Sequence, residues 1–245
     1  MKFTAHAAAL LTAAVVPCTA VYAADNTKLG YGQGTAVDEK NRPDGAVQFN
    51  VRYGDLDAYA LSEDENRIII TFDQGYENGY TAKILDTLKE KGVKAVFFLT
   101  GDYAKKEKEL VRRMIDEGHT LGNHSMNHPS LPTLSDAEAE EEIMSLHDYV
   151  LDEYGYEMQY FRFPCGEYSE HLLETVQKCG YKTVFWSYAY VDWKTDSQPA
   201  PDESKRKLVD SAHGGEILLL HSVSQTNAEI LGDVIDALRA KGYTV

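Results

Sequence analysis

The stretch RIIITFDQGYENGYTAKILDTLKEKG, residues 67–92, joins an apolar run to a loop and then to an amphipathic segment. The run 67–72 is rich in β-branched and aromatic residues, which favour a buried strand. Residues 80–92 carry apolar side chains at helical spacing and end in Gly92, as helices commonly do. A strand that is apolar nearly throughout and leads into a helix is typical of a parallel sheet covered on both faces.

The same order of strand and helix recurs along the rest of the chain. Further strands are predicted at 94–101, 119–124, 159–163, 182–188 and 216–221, and a last strand begins in the C-terminal GYTV. Further helices are predicted within 105–118, 134–155, 169–180, 202–215 and 226–242. This repetition favours an α/β fold of the distorted (β/α) barrel type, with about seven parallel strands, over an open doubly wound sheet.

Composition narrows the class of protein. The chain has 245 residues, 43% of them hydrophobic, and can bury a full core without a disulfide or a structural metal. Its formal charge of −15 argues against nucleic acid as a partner, because phosphate binding needs a basic surface. After residue 24 the cysteines are Cys165 and Cys179, which favour two free thiols but leave a bond between them open.

The N-terminus differs in character from the rest. Residues 1–24 start with Lys2, continue as an apolar stretch and end in small residues, a pattern typical of a cleavable secretory signal. A membrane anchor would need roughly 20 uninterrupted apolar residues, and polar residues interrupt this stretch, so a signal is favoured over an anchor. Residues 25–66 are interpreted as a lead-in and 67–245 as the functional domain. We therefore expect an exported monomer that acts outside the cytoplasm, in the cell wall or spore cortex, with no stable membrane insertion after cleavage.

Polar and aromatic side chains follow the predicted strands where each strand ends. In barrels of this kind the carboxyl ends of the strands meet at one rim, where the chemistry occurs. The residues at these ends are Asp73, His124, His128, Arg162, Asp192, Trp193 and His221.

These residue types suit the hydrolysis of an acyl bond. The four-residue spacing of His124 and His128 places two imidazoles on one side of a turn, as ligands of one cation require. Asp73 is predicted to be a general base or a structural acid, and Arg162 is a natural ion-pair partner for it in either role. His221, oriented by Asp192, is predicted to be a general acid.

Five ordered motifs carry a resemblance to a known family. They are T-F-D-x-G (71–75), H-S-x-x-H (124–128), R-F-P-C-G (162–166), V-D-W (191–193) and L-L-L-H (218–221). This set resembles the polysaccharide deacetylases, which form carbohydrate esterase family four and share the NodB-homology domain, from about residue 68 to the C-terminus. The resemblance implies a distorted β/α barrel that removes N- or O-acetyl groups from polysaccharides.

The resemblance also implies residue roles. Asp73 would be the base that activates water, Arg162 its partner, and His124 and His128 the metal ligands. His221, assisted by Asp192, would protonate the departing amine. The residues predicted to contact the substrate are Trp193, Tyr76, Asn78, Pro164 and Gly166.

One departure concerns the metal. Most family members carry T-F-D-D-G, whose second Asp completes an Asp-His-His site, whereas this chain has Gln74 at that position. A neutral amide offers less charge than a carboxylate, so affinity for zinc or a similar divalent cation should fall. Gln74 and the nearby Glu77 are both retained as candidates for the third ligand.

Longer motifs resemble one branch of the family more closely. They include F-D-x-G-Y-E-N-G-Y-T (72–81) and V-F-W-S-x-A-x-V-D-W-K (184–194). The branch is that of the delta-lactam-biosynthetic de-N-acetylases (polysaccharide deacetylase A) of spore-forming bacteria, although Cys165 replaces a residue that is often basic there. It implies de-N-acetylation of N-acetylmuramic acid in peptide-free peptidoglycan, on the way to muramic δ-lactam. The alternatives are N-acetylglucosamine in peptidoglycan, chitin or acetylated xylan as substrate, and a non-catalytic wall-binding pseudoenzyme.

Overall fold

The computed structural model describes residues 24–245, so the predicted signal peptide lies outside the described residues apart from Ala24. Its helices are α1 (Asp44–Tyr53), α2 (Thr81–Lys91), α3 (Gly101–Lys106), α4 (Lys108–Asp116), α5 (Asp136–Tyr154), α6 (Glu170–Lys178), α7 (Pro201–Asp210) and α8 (Gln225–Ala240). Its strands are β1 (Leu29–Gly30), β2 (Ala58–Tyr59), β3 (Ile69–Gln74), β4 (Val96–Leu99), β5 (Thr120–Asn123), β6 (Tyr160–Phe161), β7 (Glu167–Tyr168), β8 (Lys182–Val184), β9 (Tyr188–Ala189) and β10 (Ile217–His221).

A curled parallel sheet forms the centre of the fold. Among the described residues it has eight strands in the order β2-β8-β6-β5-β4-β3-β10-β9, while β1 and β7 form a separate antiparallel pair. The sheet curls into a half-barrel, and residues 182–189 contribute strands near both of its ends. At one end β8 pairs with β6 and β2, and at the other end β9 pairs with β10. The predicted distorted barrel is confirmed.

The differences from the predicted elements are local. Residues 182–188, predicted as one strand, are divided between β8 and β9, and β2 was missed because two residues carry no recognisable pattern. The C-terminal GYTV contributes a single bridge, between Thr244 and Arg67, rather than a strand. The helix predicted over 105–118 is interrupted at Glu107, whose φ of −104° and ψ of 44° end α3 before α4 begins.

Strand register aligns the functional residues. In the parallel pairing of β3 with β10, Asp73 lies directly opposite His221. On the other side of β3, Asp73 lies opposite Phe98 of β4. His124 follows immediately after β5, which pairs with β4. The carboxyl ends of these strands therefore meet at one rim, as the sequence predicts.

The segment between residues 24 and 66 packs against the barrel. Its helix α1 buries Phe49 and Tyr53. The Tyr31 ring stacks on that of Phe185 with centroids 4.4 Å apart, and Phe49 approaches Phe185 edge-on at 5.0 Å. Aromatic pairs of this kind stabilise by about 0.5–1.5 kcal/mol beyond the area they bury. This segment is therefore held in place beside the rim of the barrel.

Within residues 24–245, no helix has both the length and the apolar character that crossing a membrane requires.

Candidate active site

A cavity of about 610 Å³ opens at the carboxyl ends of the strands. Its lining includes five of the residues that the sequence predicted to act together: Asp73, His124, His128, Trp193 and His221. They come from four different strand ends and loops, so only the curled sheet brings them into one space. The predicted convergence on one rim is thus observed in the structure.

Asp73 is buried beside Arg162. The Arg162 Nη1 donates to Asp73 Oδ1 at 2.8 Å and to Thr71 Oγ1 at 2.9 Å. Burial by itself would raise the pKa of Asp73, but the Arg162 charge, with His124 and His221 nearby, holds that pKa below its ordinary value. Asp73 is therefore a carboxylate at neutral pH, able to accept a proton.

Arg162 is itself fully buried, and its remaining contacts fix its orientation. Its Nε donates to the Val184 carbonyl at 2.9 Å and its Nη2 to the Phe185 carbonyl at 3.0 Å. The guanidinium also lies over the Phe98 ring, 4.1 Å from the centroid. The end of β8 and the residue that follows it thus supply the backbone acceptors that orient this guanidinium toward Asp73.

Arg162→Ala is expected to lower the free energy of unfolding at pH 7 by about 3–5 kcal/mol, because it leaves Asp73 buried without its charged partner. Urea unfolding measures the change. The matched control is Arg112→Ala, which removes an exposed ion pair with Glu153 and should cost about 0–1 kcal/mol.

The pH dependence of this stability effect has a defined sign. Because the folded pKa of Asp73 is depressed, the stabilisation is present above the ordinary pKa of Asp, about 4, and is lost as pH falls through the lower folded value. The difference between the parent and Arg162→Ala should therefore shrink in acid. Equal losses for Arg162→Ala and Arg112→Ala at pH 7 would contradict the burial argument.

His124 presents a lone pair toward Asp73. Its Nδ1 lies 2.8 Å from the Arg162 carbonyl, which can only accept, so Nδ1 carries the proton. Burial lowers the pKa of His124 to about 4, which keeps the ring neutral at pH 7. Its Nε2 lies 3.6 Å from Asp73 Oδ2. Two acceptor atoms that face each other in this way suit a cation held nearby.

His128 is folded back toward His124 by a left-handed turn. Ser125 and His128 have φ values of 67° and 58°, which non-glycine residues adopt at a cost of about 1–2 kcal/mol each. The His128 N–H donates to Ser125 Oγ at 2.9 Å and stabilises the turn. The two imidazole centroids lie 4.8 Å apart.

The two candidates for a third metal ligand, Gln74 and Glu77, do not line the cavity that holds His124 and His128. Gln74 is fully buried, donates through Nε2 to Ser222 Oγ and does not line the cavity. Glu77 accepts from the N–H groups of Gly79 and Thr81 at the start of α2. The alternation of side chains along β3 explains the position of Gln74, since Asp73 faces the barrel interior.

The candidate metal site therefore contains His124, His128 and Asp73, and no second carboxylate among the described residues lines the same cavity. Among residues 24–245, no group of three His, Cys, Asp or Glu side chains has the arrangement of a complete metal site. His124 and His128, with Asp73 beside them, fit a cation, but neither Gln74 nor Glu77 joins them. Deacetylases of family four are generally metal-dependent.

His221 is oriented by a buried carboxylate. Its Nδ1 lies 2.7 Å from Asp192 Oδ1, and its backbone N–H donates to Asp192 Oδ2 at 2.8 Å. Burial acts to lower the pKa of His221, but the hydrogen bond and charge of Asp192 outweigh it, so that the pKa is raised. His221 can therefore carry a proton near neutral pH while its Nε2 remains available.

Asn227 is a site residue that the sequence analysis missed. Its Nδ2 donates to Asp192 Oδ2 at 2.6 Å and to the His221 carbonyl at 3.2 Å. It lies in the first turn of α8, where Ser224 caps the helix. An Asn in a helix has no distinctive pattern, and its role depends on where α8 packs.

Two of the five residues predicted to contact the substrate line the cavity, and three do not. Trp193 and Gly166 line the cavity, and the Trp193 ring lies 5.5 Å from that of His221. Tyr76 and Asn78 do not line it; the Asn78 side chain donates to the Val223 carbonyl at 2.9 Å. Pro164 is buried and also lies outside the lining.

The sequence analysis also missed one wall of the cavity. Tyr31, Gly32 and Gln33, which precede the predicted domain, line it together with Trp186. Their sequence has no catalytic pattern, and the glycines beside them indicated an irregular lead-in. Cys165 lines the same cavity, and both Cys165 and Cys179 are free.

Comparisons with known proteins agree with this geometry. The peptidoglycan-N-acetylmuramic acid deacetylase PdaA of Bacillus subtilis is 40% identical over 240 residues, which cover 97% of this chain and 90% of that protein. The solved structure of Bacillus subtilis PdaA, described as a family 4 carbohydrate esterase, superposes with a TM-score of 0.84 at 41% identity, covering 90% of this chain and 94% of the other.

A glucosamine deacetylase is more distant. The peptidoglycan-N-acetylglucosamine deacetylase of Bacillus cereus is 34% identical over 191 residues, which cover 76% of this chain and 68% of that protein. The family model for polysaccharide deacetylase matches residues 60–184. The chain therefore belongs to the polysaccharide deacetylase family and is a hydrolase that acts on C–N bonds.

Proposed function

We propose that this protein hydrolyses the acetamido group of N-acetylmuramic acid in peptide-free peptidoglycan strands. The observation that carries the proposal is the pairing of a buried base, Asp73 on Arg162, with a partly exposed acid, His221 on the buried Asp192, around one cavity. The similarity to PdaA of Bacillus subtilis, whose name specifies muramic acid, supports this sugar over glucosamine.

The two pairs divide the proton transfers of amide hydrolysis. Asp73 takes a proton from a water molecule, whose oxygen bonds to the acetyl carbon. The C–N bond then breaks, and His221 donates its proton to the departing nitrogen, because an amide anion is a poor leaving group. The products are acetate and a free amine on the sugar. We assign Trp193, which lines the cavity beside His221, to one wall of the acetyl pocket.

The cation has a supporting role in this proposal. We assign its ligation to His124 and His128, with Asp73 adjacent. When bound, a divalent cation such as zinc would polarise the acetyl carbonyl. Arg162 and Asp192 hold their partners independently of it, through the protein contacts described above.

The proposed place of action is the cell wall. We propose that residues 1–24 direct export and that the reaction is a step toward muramic δ-lactam in spore cortex, as the branch resemblance implies. The retention of both an acid and a base argues against the pseudoenzyme alternative, because a binding protein needs neither.

One assay tests the function. Residues 25–245 are incubated with peptide-free glycan strands, and mass spectrometry locates acetyl loss with and without a chelator. Loss from muramic acid is the expected result. Loss only from glucosamine would replace the substrate by the alternative sugar, and no loss with any divalent metal would indicate a binding protein.

His128→Ala is expected to weaken zinc binding tenfold or more, since it removes one of two imidazole ligands. Isothermal titration calorimetry with zinc measures the change. The matched control is His171→Ala, a partly exposed histidine that contacts Asp136 outside the cavity. Equal affinities of His128→Ala and the parent would refute this ligand assignment.

A further inference from the structure

The N-terminal segment 31–33 is built into the substrate cavity. The Tyr31 N–H donates to the Gly166 carbonyl at 2.8 Å, and its hydroxyl donates to the Trp186 carbonyl. Gln33 accepts from Trp186 Nε1 at 2.9 Å and donates to the Ala189 carbonyl at 3.2 Å. Three residues from outside the matched family domain thus fix the position of an aromatic wall of the site.

This corner of the cavity is closely packed. Gly166 has a φ of 68°, and a Cβ there would lie 3.1 Å from Trp186 Cη2 and 3.3 Å from the Tyr31 carbonyl oxygen. Gly32 differs, because a Cβ added to it meets nothing within 4 Å. Gly32 is therefore an exposed residue at the edge of the cavity, and a side chain placed there would extend into open space without a clash.

The segment lies outside the residues matched by the family model but inside the alignment with the muramic acid deacetylase. The alignment with the muramic acid deacetylase covers 97% of this chain and so extends through residues 31–33. The family model begins at residue 60, and the Bacillus cereus glucosamine deacetylase aligns with 76% of the chain.

The two sugars differ at a position next to the reacting group. Muramic acid carries a lactyl ether on O3, adjacent to the acetamido group on C2, and glucosamine has a hydroxyl there. When the acetyl group lies between Asp73 and His221, the lactyl group must contact the nearby cavity wall. Among the described residues that line the cavity, none is Lys or Arg, and the histidines His124, His128 and His221 are already assigned to the cation and to the acid step.

The backbone of the segment offers neutral donors instead. Among residues 24–245, no acceptor is found for the backbone N–H of Gly32 or of Gln33. Two adjacent amide groups on a fixed wall suit a carboxylate, as in other backbone anion sites. Gly32 leaves space for the substituent that these groups would bind.

We propose that residues 31–33 form the subsite that binds the 3-O-lactyl group and thereby select muramic acid over glucosamine. This inference rests on the proposed function. It assigns a specificity role to a segment outside the family domain, and it accounts for selectivity in a site where Cys165 supplies no positive charge.

Gly32→Leu tests the inference, with Gly30→Leu as the matched control. Both glycines have open space around the added Cβ and neither has a positive φ, but only Gly32 lines the cavity. Each change is made in an Asp73→Asn background, and calorimetry measures binding of a peptide-free peptidoglycan tetrasaccharide and of chitotetraose. The expected result is a tenfold or larger loss of the preference for the muramic acid glycan in Gly32→Leu and none in Gly30→Leu.

Gln33→Ala provides a second, independent change. It removes the two hydrogen bonds that the Gln33 side chain makes with Trp186 Nε1 and the Ala189 carbonyl, and it should lower the same preference ratio. Thermal unfolding confirms that each variant is folded. An unchanged preference in folded Gly32→Leu, or an equal loss in Gly30→Leu, would overturn the inference.

The two proposals fail in different ways. If the parent removes no acetyl from muramic acid, the proposed function is wrong. If the parent does so and Gly32→Leu retains the binding preference measured by calorimetry, the function stands and the subsite assignment is wrong.

Discussion

Asp73→Asn is expected to lower kcat by about a thousandfold, within the range typical of a lost general base. The amide cannot take a proton from water, but its oxygen can still accept from Arg162 Nη1, which lies 2.8 Å from Oδ1 in the parent. The variant should therefore stay folded and bind glycan. Steady-state kinetics on peptide-free glycan, with acetate release as the signal, measures the effect.

The stability of the same variant separates chemistry from folding. Asn at position 73 leaves Arg162 without a counter-charge, so a loss of stability is expected, and it can be measured by urea unfolding. Circular dichroism at the assay temperature serves as the control for folding. Near-normal turnover in Asp73→Asn would show that another group activates the water.

His221→Ala is expected to lower kcat by a similar factor, about a thousandfold, because the amine would leave without a proton. The matched control is His147→Ala, which removes a partly buried histidine that bonds to Tyr181 and does not line the cavity. His147→Ala should keep its activity. A small effect of His221→Ala would show that it is not the acid.

The pH profile tests the role of Asp192 in the same step. Because contact with Asp192 raises the pKa of His221, the protonated acid persists to higher pH than an isolated histidine would. Asp192→Asn should lower that pKa and move the alkaline limb of the kcat profile to lower pH. An unchanged alkaline limb would indicate that a different group sets it.

Much of the site was predictable because local patterns carry it. Asp73 and His221 each end an apolar run, and parallel strands bring such ends to one rim. The role of Arg162 followed from its position near the end of another predicted strand. These inferences needed only the order of strands and the chemistry of the side chains.

Other features depended on packing that no local pattern reveals. Gln74 and Glu77 were both candidates for the metal, but strand alternation turns Gln74 toward Ser222 and the start of α2 engages Glu77. Asn227 reaches Asp192 only because α8 lies across the end of β10. Each outcome depends on side-chain direction, which sequence spacing constrains weakly.

The amino-acid sequence by itself predicted the barrel, which the structure confirms, and placed Asp73, His124, His128 and His221 at strand ends, because hydrophobic period and strand-end chemistry are local properties. The tertiary structure decided which residues enclose the substrate. Residues 31–33 lie far from Trp186 in the chain and touch it only after α1 and its aromatic residues pack on the sheet. Contacts between distant segments arise from the burial of shared apolar surface, and this fixed the wall of the cavity.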